Sequence, residues 1–292
     1  MEKKSFYGYR ANIVINKLNT YNLDLDNKEG RNKLFNLFFD KIKDNRLQSN
    51  YNKRKYFLLF ISEIDEIIYC QLARKREYSK YEMQEDGIQE QLEEDYPYVN
   101  IFIDTKHQKI LIESKKTIFE NIDTCKKTIE NIMKSTLNEY DASIELIPMS
   151  DEKTFWDIID SEKNNIYKIT FKLHSPNFLG TETSAKELMD SVRDTTGADH
   201  FEFTFHNEEG NLKPKKEVLQ PYVEYATDGA GDWSMNIKEK DGESKRNTIK
   251  SGEFIKKIDC TITYDESGRI TSYYEEIKKA FNKIENVDEF KV

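Results

Sequence analysis

The apolar residues of this chain occur in short runs, and the length of these runs is the strongest constraint on its fold. The longest run, "YFLLFI" at residues 56–61, is the length of one β-strand. A helix that crosses a bilayer needs about 20 apolar residues. We therefore expect no membrane-spanning helix, and we expect many short strands that are buried by other elements.

Helical spacing appears between these strand-like runs. The two clearest amphipathic stripes are Leu34, Leu37, Phe38 and Ile42, and then Ile118, Ile122, Cys125, Ile129 and Ile132. Apolar residues three or four positions apart lie on one face of a helix and pack against a core. The alternation of such helices with short strands predicts an α+β fold, in which mixed β-sheets are flanked by amphipathic helices. Cys125 lies on a stripe, so we expect it to be buried.

The length of 292 residues favours two lobes, because single cores rarely grow beyond about 250–300 residues. The spacing of elements changes near Ser150, after which short strands and helices alternate. We therefore predict an N-terminal α/β lobe over residues 1–149, with a basic strand and an acidic loop, and a C-terminal α/β lobe over residues 150–292.

Charge and cysteine usage limit where the protein acts. The chain is 34% charged with a formal net charge of −9, which disfavours a surface that grips phosphates along its whole length. Its three cysteines are odd in number and far apart, so they indicate neither a disulfide framework nor a zinc ribbon. The N-terminus has no adequate apolar segment for export. We expect a soluble, cytoplasmic protein.

A local basic patch offers one candidate binding surface. The segment "ARKREYSKY" at 73–81 interleaves cations with tyrosines, and the acidic residues 85–95 follow it. Residues 82–96 are polar and show no periodicity, which predicts a flexible loop. Solvated charge on a strand edge would produce the same pattern. The candidate contact residues, for protein or nucleic acid, are Arg74, Lys75, Arg76, Tyr78 and Lys80.

The stretch "NIFIDTKHQKILIESKK" offers a catalytic alternative. Nucleases of the PD-(D/E)xK type hold Mg²⁺ with an Asp on one strand and a Glu on the next, followed two residues later by a Lys. Asp104, Glu113 and Lys115 match that spacing, with the two carboxylates as ligands and the lysine as charge stabiliser. Any polar hairpin in so charged a chain produces the same pattern, so we prefer a structural interpretation, without a cofactor or metal.

Other motifs argue against common catalytic classes. The sequence contains no Gly-x-Ser-x-Gly elbow, Walker loop or dinucleotide fingerprint. The glycine-rich "DGAGDW" at 228–233 joins a helix to a strand, which is the wrong order for a phosphate cradle, so it is expected to be a turn. His200 and His206 flank one strand, and a metal there would need a third ligand from another element.

Several short stretches resemble an uncharacterised bacterial family, a domain of unknown function found in prophages and phage-defence neighbourhoods. They are "FIDTKHQKILIESK", "IELIPMSDEKTFWDII", "ITFKLHSPN", "TGADHFEFTFHNEEGNL" and "YATDGAGDW". The likeness covers residues 97–265 and leaves the basic patch outside. It implies a role in host–virus conflict beside a protein partner encoded nearby. It carries over no catalytic residue.

We therefore expect a recognition or accessory component of bacterial anti-phage defence that binds protein or nucleic acid. The alternative is a Mg²⁺-dependent nuclease, and a structural assembly protein is a third interpretation. The sequence leaves the oligomeric state open, a homo-oligomer included, and it gives no indication of a membrane partner.

Overall fold

In a computed structural model the chain is described over residues 2–15, 28–44, 46–174, 184–198, 200–238, 246–266 and 270–284. The strands are β1 (Glu2–Ile15), β2 (Leu47–Tyr51), β3 (Arg54–Ile64), β4 (Ile67–Arg74), β5 (Arg76–Gln84), β6 (Gly87–Asp95), β7 (Tyr98–Asp104), β8 (Lys109–Glu113), β9 (Ala142–Pro148), β10 (Ile166–His174), β11 (His200–His206), β12 (Gly231–Lys238), β13 (Arg246–Lys250), β14 (Lys257–Tyr264) and β15 (Ile270–Ser272). The helices are α1 (Lys28–Asp44), α2 (Ile122–Leu137), α3 (Glu152–Ser161), α4 (Ser184–Thr196), α5 (Lys216–Tyr225) and α6 (Tyr274–Ile284). The predicted α+β class is confirmed.

The chain forms two compact units whose segments alternate along the sequence. Unit 1 comprises Met1–Asn12, His107–Leu111 and Leu146–Val292, whereas unit 2 comprises Ile13–Lys106 and Ile112–Glu145. Strands β1, β8 and β9 contribute residues to both units. The predicted lobe boundary near residue 150 stays a prediction.

Unit 2 is built on antiparallel strands in the order β7, β4, β3 and β2, with the end of β8 beside β7. The strand β7 is buried along almost its whole length, which explains its nearly continuous apolar sequence. Helices α1 and α2 pack against each other and on β3. Asn121 caps α2, because its side chain accepts a hydrogen bond from Thr124 N at 2.7 Å. Cys125, Ile129 and Ile132 of the predicted stripe are buried on α2, as expected. Ile122 is only partly buried, and Ile118 lies in a turn before the helix.

Unit 1 contains two sheets. In the first, β14 pairs with β15 and β1, and β1 also pairs with β8 and β9. The second is antiparallel, in the order β11, β10, β12 and β13. Buried side chains from β10, β12, α3, α4 and α5 form its core, with Phe155 in contact with Phe171 and Trp233. Helix α6 packs on β14, and its Ile284 lies close to Gly8.

The glycine-rich segment forms a tight turn between α5 and β12, as its sequence predicts. Residues Ala226–Ala230 make a π-type turn in which Gly229 has a φ of +80°. A Cβ on Gly229 would lie 2.7 Å from the Cβ of Arg10, so glycine is required both for backbone conformation and for space. The turn places Asp228 Oδ2 2.9 Å from Nη2 of the buried Arg10, and Oδ1 3.6 Å from Nζ of the buried Lys109. This ion cluster fixes the turn to β1 and β8.

The cysteines are structural. Cys70, Cys125 and Cys260 are free and buried. Burial raises the pKa of Cys70 to about 12 and that of Cys260 to about 11, because a thiolate is poorly solvated in an apolar interior. The three thiols therefore remain protonated near neutral pH.

None of the helices in the described ranges is long and apolar enough to span a lipid bilayer.

The prediction of a flexible loop over residues 82–96 is wrong. Residues Gly87–Asp95 form β6, which pairs along its whole length with β5. Glutamate, aspartate and glycine are depleted in strands, which hid this strand in the sequence. Cross-strand ion pairs and a turn closed by Gly87 stabilise the hairpin instead, and Gly87 has a φ of +137° that other residues rarely adopt.

Candidate interaction surface

The hairpin of β5 and β6, residues 76–95, is called the arm below. Its register pairs Gln84 with Gly87 and Met83 with Ile88, so that Glu85 and Asp86 form a two-residue turn. Within the described part of the chain, the two strands pair only with each other. A two-stranded hairpin of this kind is marginally stable by itself, because it lacks a third strand or a packed face.

One face of the arm is apolar and exposed. Residues directly opposite each other in an antiparallel pair lie on the same face. The pairs Met83 with Ile88, Tyr81 with Glu90 and Ser79 with Leu92 therefore share one face. The exposed fractions of its four large apolar residues are 65% for Tyr81, 87% for Met83, 69% for Ile88 and 70% for Leu92. Together they leave on the order of 500 Å² in water, which is as large as the largest apolar patch of a typical monomer.

The opposite face of the arm is a ladder of ion pairs. Arg76 Nε donates to Asp95 Oδ2 at 2.8 Å. Lys80 Nζ lies 2.8 Å from Glu82 Oε1 and 3.0 Å from Glu93 Oε1. Tyr78 completes the ladder, since its hydroxyl donates to Glu93 Oε2 at 2.8 Å. The side chains of this face are polar and exposed, and they form hydrogen bonds and ion pairs with one another. The arm as a whole is therefore amphipathic.

The ladder perturbs the titration of its members. Hydrogen bonds from Tyr78 and Lys80 lower the pKa of Glu93, and the hydrogen bond from Arg76 lowers the pKa of Asp95. A carboxyl group whose folded-state pKa is lowered adds stability above its ordinary pKa and loses it as pH falls through the folded-state value. The ladder is therefore intact at neutral pH and weakens only in acid, below about pH 4.5.

The basic residues proposed from the sequence are each engaged by neighbours. Arg74 Nη1 donates to the carbonyl of Ile118 at 2.8 Å. Lys75 forms ion pairs with Glu77, at 3.2 Å, and with Glu94. The structure brings Arg76, Tyr78 and Lys80 together on the charged face, and it adds acidic residues around them. The binding role of this patch stays a prediction.

The sequence reasoning missed the apolar residues on the other face. Two signals were present. The dipeptide Asp86-Gly87 is typical of a hairpin turn, although the structure places Glu85 and Asp86 at its two central positions. Tyr81 and Met83 alternate with polar residues on its N-terminal side. Ile88 and Leu92 follow the turn but are separated by polar residues. Periodicity alone was therefore too weak on the second strand.

Two residues of the nuclease hypothesis, Asp104 and Glu113, lie at opposite ends of the hairpin of β7 and β8, and Lys115 follows the end of β8. Glu113 Oε2 accepts hydrogen bonds from Asn100 N at 2.9 Å and from Asn100 Nδ2 at 2.8 Å, so Glu113 lies beside Asn100. Asp104 ends β7 four residues further along the strand. At about 3.3 Å per residue, the two positions are separated by roughly 13 Å along the strand. The structure does not bring the two carboxylates together.

Glu113 and Lys115 have structural contacts. Glu113 is buried, and its partner Asn100 accepts a hydrogen bond from Tyr69 OH at 2.8 Å. Lys115 Nζ lies 5.2 Å from the centre of the Tyr98 ring and 3.4 Å from the Tyr98 carbonyl oxygen. In the described ranges no group of three His, Cys, Asp or Glu side chains is placed to hold a metal ion. The nuclease hypothesis stays a prediction without support from this geometry.

Comparison with known proteins identifies the family of this chain. A family model described as a domain of unknown function, DUF4747, matches residues 16–282. The chain belongs to the DUF4747 family. No curated protein and no solved structure matches it. The expectation of an uncharacterised family is thereby confirmed. The matched region of this DUF4747 protein includes the whole arm, residues 76–95, which the sequence resemblance over 97–265 had left outside.

Proposed function

We propose that this DUF4747 protein is a recognition component that binds another protein through the apolar face of the arm. The observation that carries this proposal is the exposure of Tyr81, Met83, Ile88 and Leu92 on one side of the two-stranded hairpin. Apolar patches of this size, rimmed by polar residues, mark interaction sites in soluble proteins. A bound protein would also supply the packing that a two-stranded hairpin lacks.

Protein is favoured over nucleic acid as the ligand. Nucleic-acid binding depends on lysines and arginines that are available to replace counterions at phosphates. The cations on the arm, Arg76 and Lys80, instead form ion pairs with Asp95, Glu82 and Glu93. Lys75 at its base is likewise paired. The charge pattern therefore gives phosphates no advantage here.

The proposed setting is bacterial anti-phage defence in the cytoplasm, with the protein as an accessory or recognition factor. The support for this setting is the resemblance of residues 97–265 to a family found in prophage and phage-defence neighbourhoods. That resemblance also implies a protein partner encoded nearby. An exposed apolar arm fits such a division of labour, because the partner would carry the effector activity.

A plaquing assay tests this function. Bacteria that carry the gene in its native neighbourhood are challenged with phage, and the wild type is compared with the double variant Met83→Ser/Ile88→Ser. We expect the double variant to lose protection while the protein remains folded, since both side chains are largely exposed. The matched control is Leu188→Ser/Val218→Ser, which removes two exposed apolar side chains from α4 and α5. Full protection by the arm variant would contradict the proposal.

The nuclease alternative has its own test. Purified protein is incubated with plasmid DNA and with RNA in Mg²⁺ or Mn²⁺, together with the variants Glu113→Ala and Glu113→Gln. Glutamine keeps an acceptor for Asn100 and preserves the fold, whereas a metal site needs the negative charge. Cleavage by the wild type that both variants lose would establish the nuclease. We expect no such cleavage.

A further inference from the structure

The arm carries an unbalanced negative charge beside its apolar face. Residues 76–95 contain eight carboxylates and two cations, a net charge of −6. The cations are Arg76 and Lys80, and the carboxylates are Glu77, Glu82, Glu85, Asp86, Glu90, Glu93, Glu94 and Asp95. The surface that surrounds the exposed apolar residues is therefore strongly acidic.

The carboxylates that lack a cationic partner are concentrated at the turn end of the arm. The carboxylates near its base and along the ladder form ion pairs with Lys75, Arg76 and Lys80. Among the described residues, Glu85, Asp86 and Glu90 form no ion pair. Glu90 accepts only a hydrogen bond from Tyr81 OH, at 3.1 Å. These three carboxylates lie next to the most exposed apolar pair, Met83 and Ile88.

We propose that the occupant of the apolar face is a cationic amphipathic polypeptide segment, one with apolar side chains flanked by lysine or arginine. This inference rests on the proposed function and names the chemistry of its partner. Apolar contact with Met83 and Ile88 supplies affinity, and cations opposite Glu85, Asp86 and Glu90 supply orientation and rapid association. The same charges discriminate against acidic surfaces, because like charges in contact are repelled.

Charge also excludes two other occupants. A second copy of this chain would bring two arms of net charge −6 together, which is unfavourable at low ionic strength. Nucleic acid would place phosphates against the same carboxylates. Both of these occupants are negatively charged, whereas the acidic surface of the arm favours a positively charged one.

The experiment measures binding of labelled synthetic peptides to the full-length protein by fluorescence anisotropy. The probe is a helical peptide with leucines along one face and lysines elsewhere. Two matched peptides replace either the leucines with serine or the lysines with glutamate. Labelled single-stranded RNA and DNA are tested in parallel, and oligomeric state is measured by light scattering. We expect only the leucine–lysine peptide to bind, more weakly when NaCl is raised from about 50 mM to about 500 mM.

Two arm variants separate the two proposals. The charge variant Glu85→Gln/Asp86→Asn/Glu90→Gln keeps the shape of the arm and is expected to lower peptide affinity about tenfold or more. The apolar variant Met83→Ser/Ile88→Ser is also expected to lose the peptide. The control Glu208→Gln/Glu209→Gln removes two exposed carboxylates from a turn outside the arm and is expected to bind as the wild type does.

Each result has a distinct meaning. If the charge variant binds the peptide as well as the wild type does, or if nucleic acid or a second copy binds in place of the peptide, the cationic occupant is overturned. If the charge variant retains phage protection while the apolar variant loses it, the cationic occupant again fails but the protein-binding function survives. If the apolar variant retains both peptide binding and protection, the proposed function itself fails.

Discussion

Several residues of this chain adopt a strained backbone conformation with a positive φ. Among the residues that the structure describes, six other than glycine have a positive φ, including Asn52 and Lys53 in the turn between β2 and β3, with φ of 49° and 61°. A turn that needs positive φ at both central positions favours Asn-Gly. Asparagine meets that preference at the first position, but lysine does not at the second. The sequence therefore retains a strained residue that a glycine would relieve.

Lys53→Gly is expected to stabilise the protein. A side chain in the left-handed region costs about 1–2 kcal/mol, and the added flexibility of glycine in the unfolded chain costs about 0.5–1 kcal/mol. The free energy of unfolding should therefore rise by roughly 0.5–1 kcal/mol in urea titrations. Lys53→Ala is the control, because it removes the charge but keeps the strain. A gain for alanine equal to that for glycine would disprove the explanation.

Gly231→Ala is expected to destabilise unit 1. A Cβ at this position would lie 2.4 Å from the carbonyl oxygen of Lys172 on the neighbouring strand β10, which is closer than any real contact. The strands must separate to admit it, at a cost of about 1–3 kcal/mol. Gly252→Ala serves as the comparison, since no atom lies within 4 Å of a Cβ there. Thermal unfolding of both variants measures the difference, and equal midpoints would contradict the steric argument.

At the scale of elements, the sequence predicts strands and helices well where the core imposes a periodicity. Cys125, Ile129 and Ile132 on α2 and most of the strand β7 are buried, and both were visible as apolar patterns. The strand β6 was not predicted, because its residues face water and its stability comes from pairing with β5. The candidate interaction surface was missed for the same reason: exposed residues follow no burial pattern, so only the cross-strand pairing of the hairpin shows that they share a face.

Replacing residues 76–95 with Asn-Gly is expected to leave the fold intact. Most side chains of the arm are exposed, and its carboxylates form ion pairs with Arg76 and Lys80 within the arm and with Lys75 at its base. We expect the free energy of unfolding to change by less than about 1 kcal/mol, as for surface changes in general, with loss of peptide binding. Circular dichroism in urea makes the measurement. A loss of most of the stability would mean that the arm belongs to the core.

For the whole molecule, the alternation of the two units along the chain governs how it can be divided. Unit 1 takes β1 from the N-terminal end and residues 107–111 from the middle of the sequence. The strand β14 pairs with β1 through residues 2–7, and Asp228 contacts Arg10 and Lys109. A division at residue 150 was predicted from a change in the spacing of strands and helices along the sequence. That spacing is local and carries no information about pairing between distant strands.

A fragment of residues 150–292 is therefore expected not to fold by itself. It would expose the edge of β14 and leave Asp228 without its two cations. We expect poor dispersion in amide NMR spectra and no cooperative thermal transition. Co-expression with residues 1–149 is the control, because it restores every missing strand and should recover a folded complex. A cooperative transition for residues 150–292 alone would instead support the predicted lobe boundary.

The pairing of β1 with β14 also has a consequence during synthesis. The partner strand begins at Lys257, so the ribosome must add more than two hundred residues after β1 before the pair can form. At about 5–20 residues per second, the edge of β1 that pairs with β14 lacks its hydrogen-bond partners for roughly 10–50 s. Nascent chains of this protein are therefore expected to depend on chaperones, and slower translation should lower the yield of native protein.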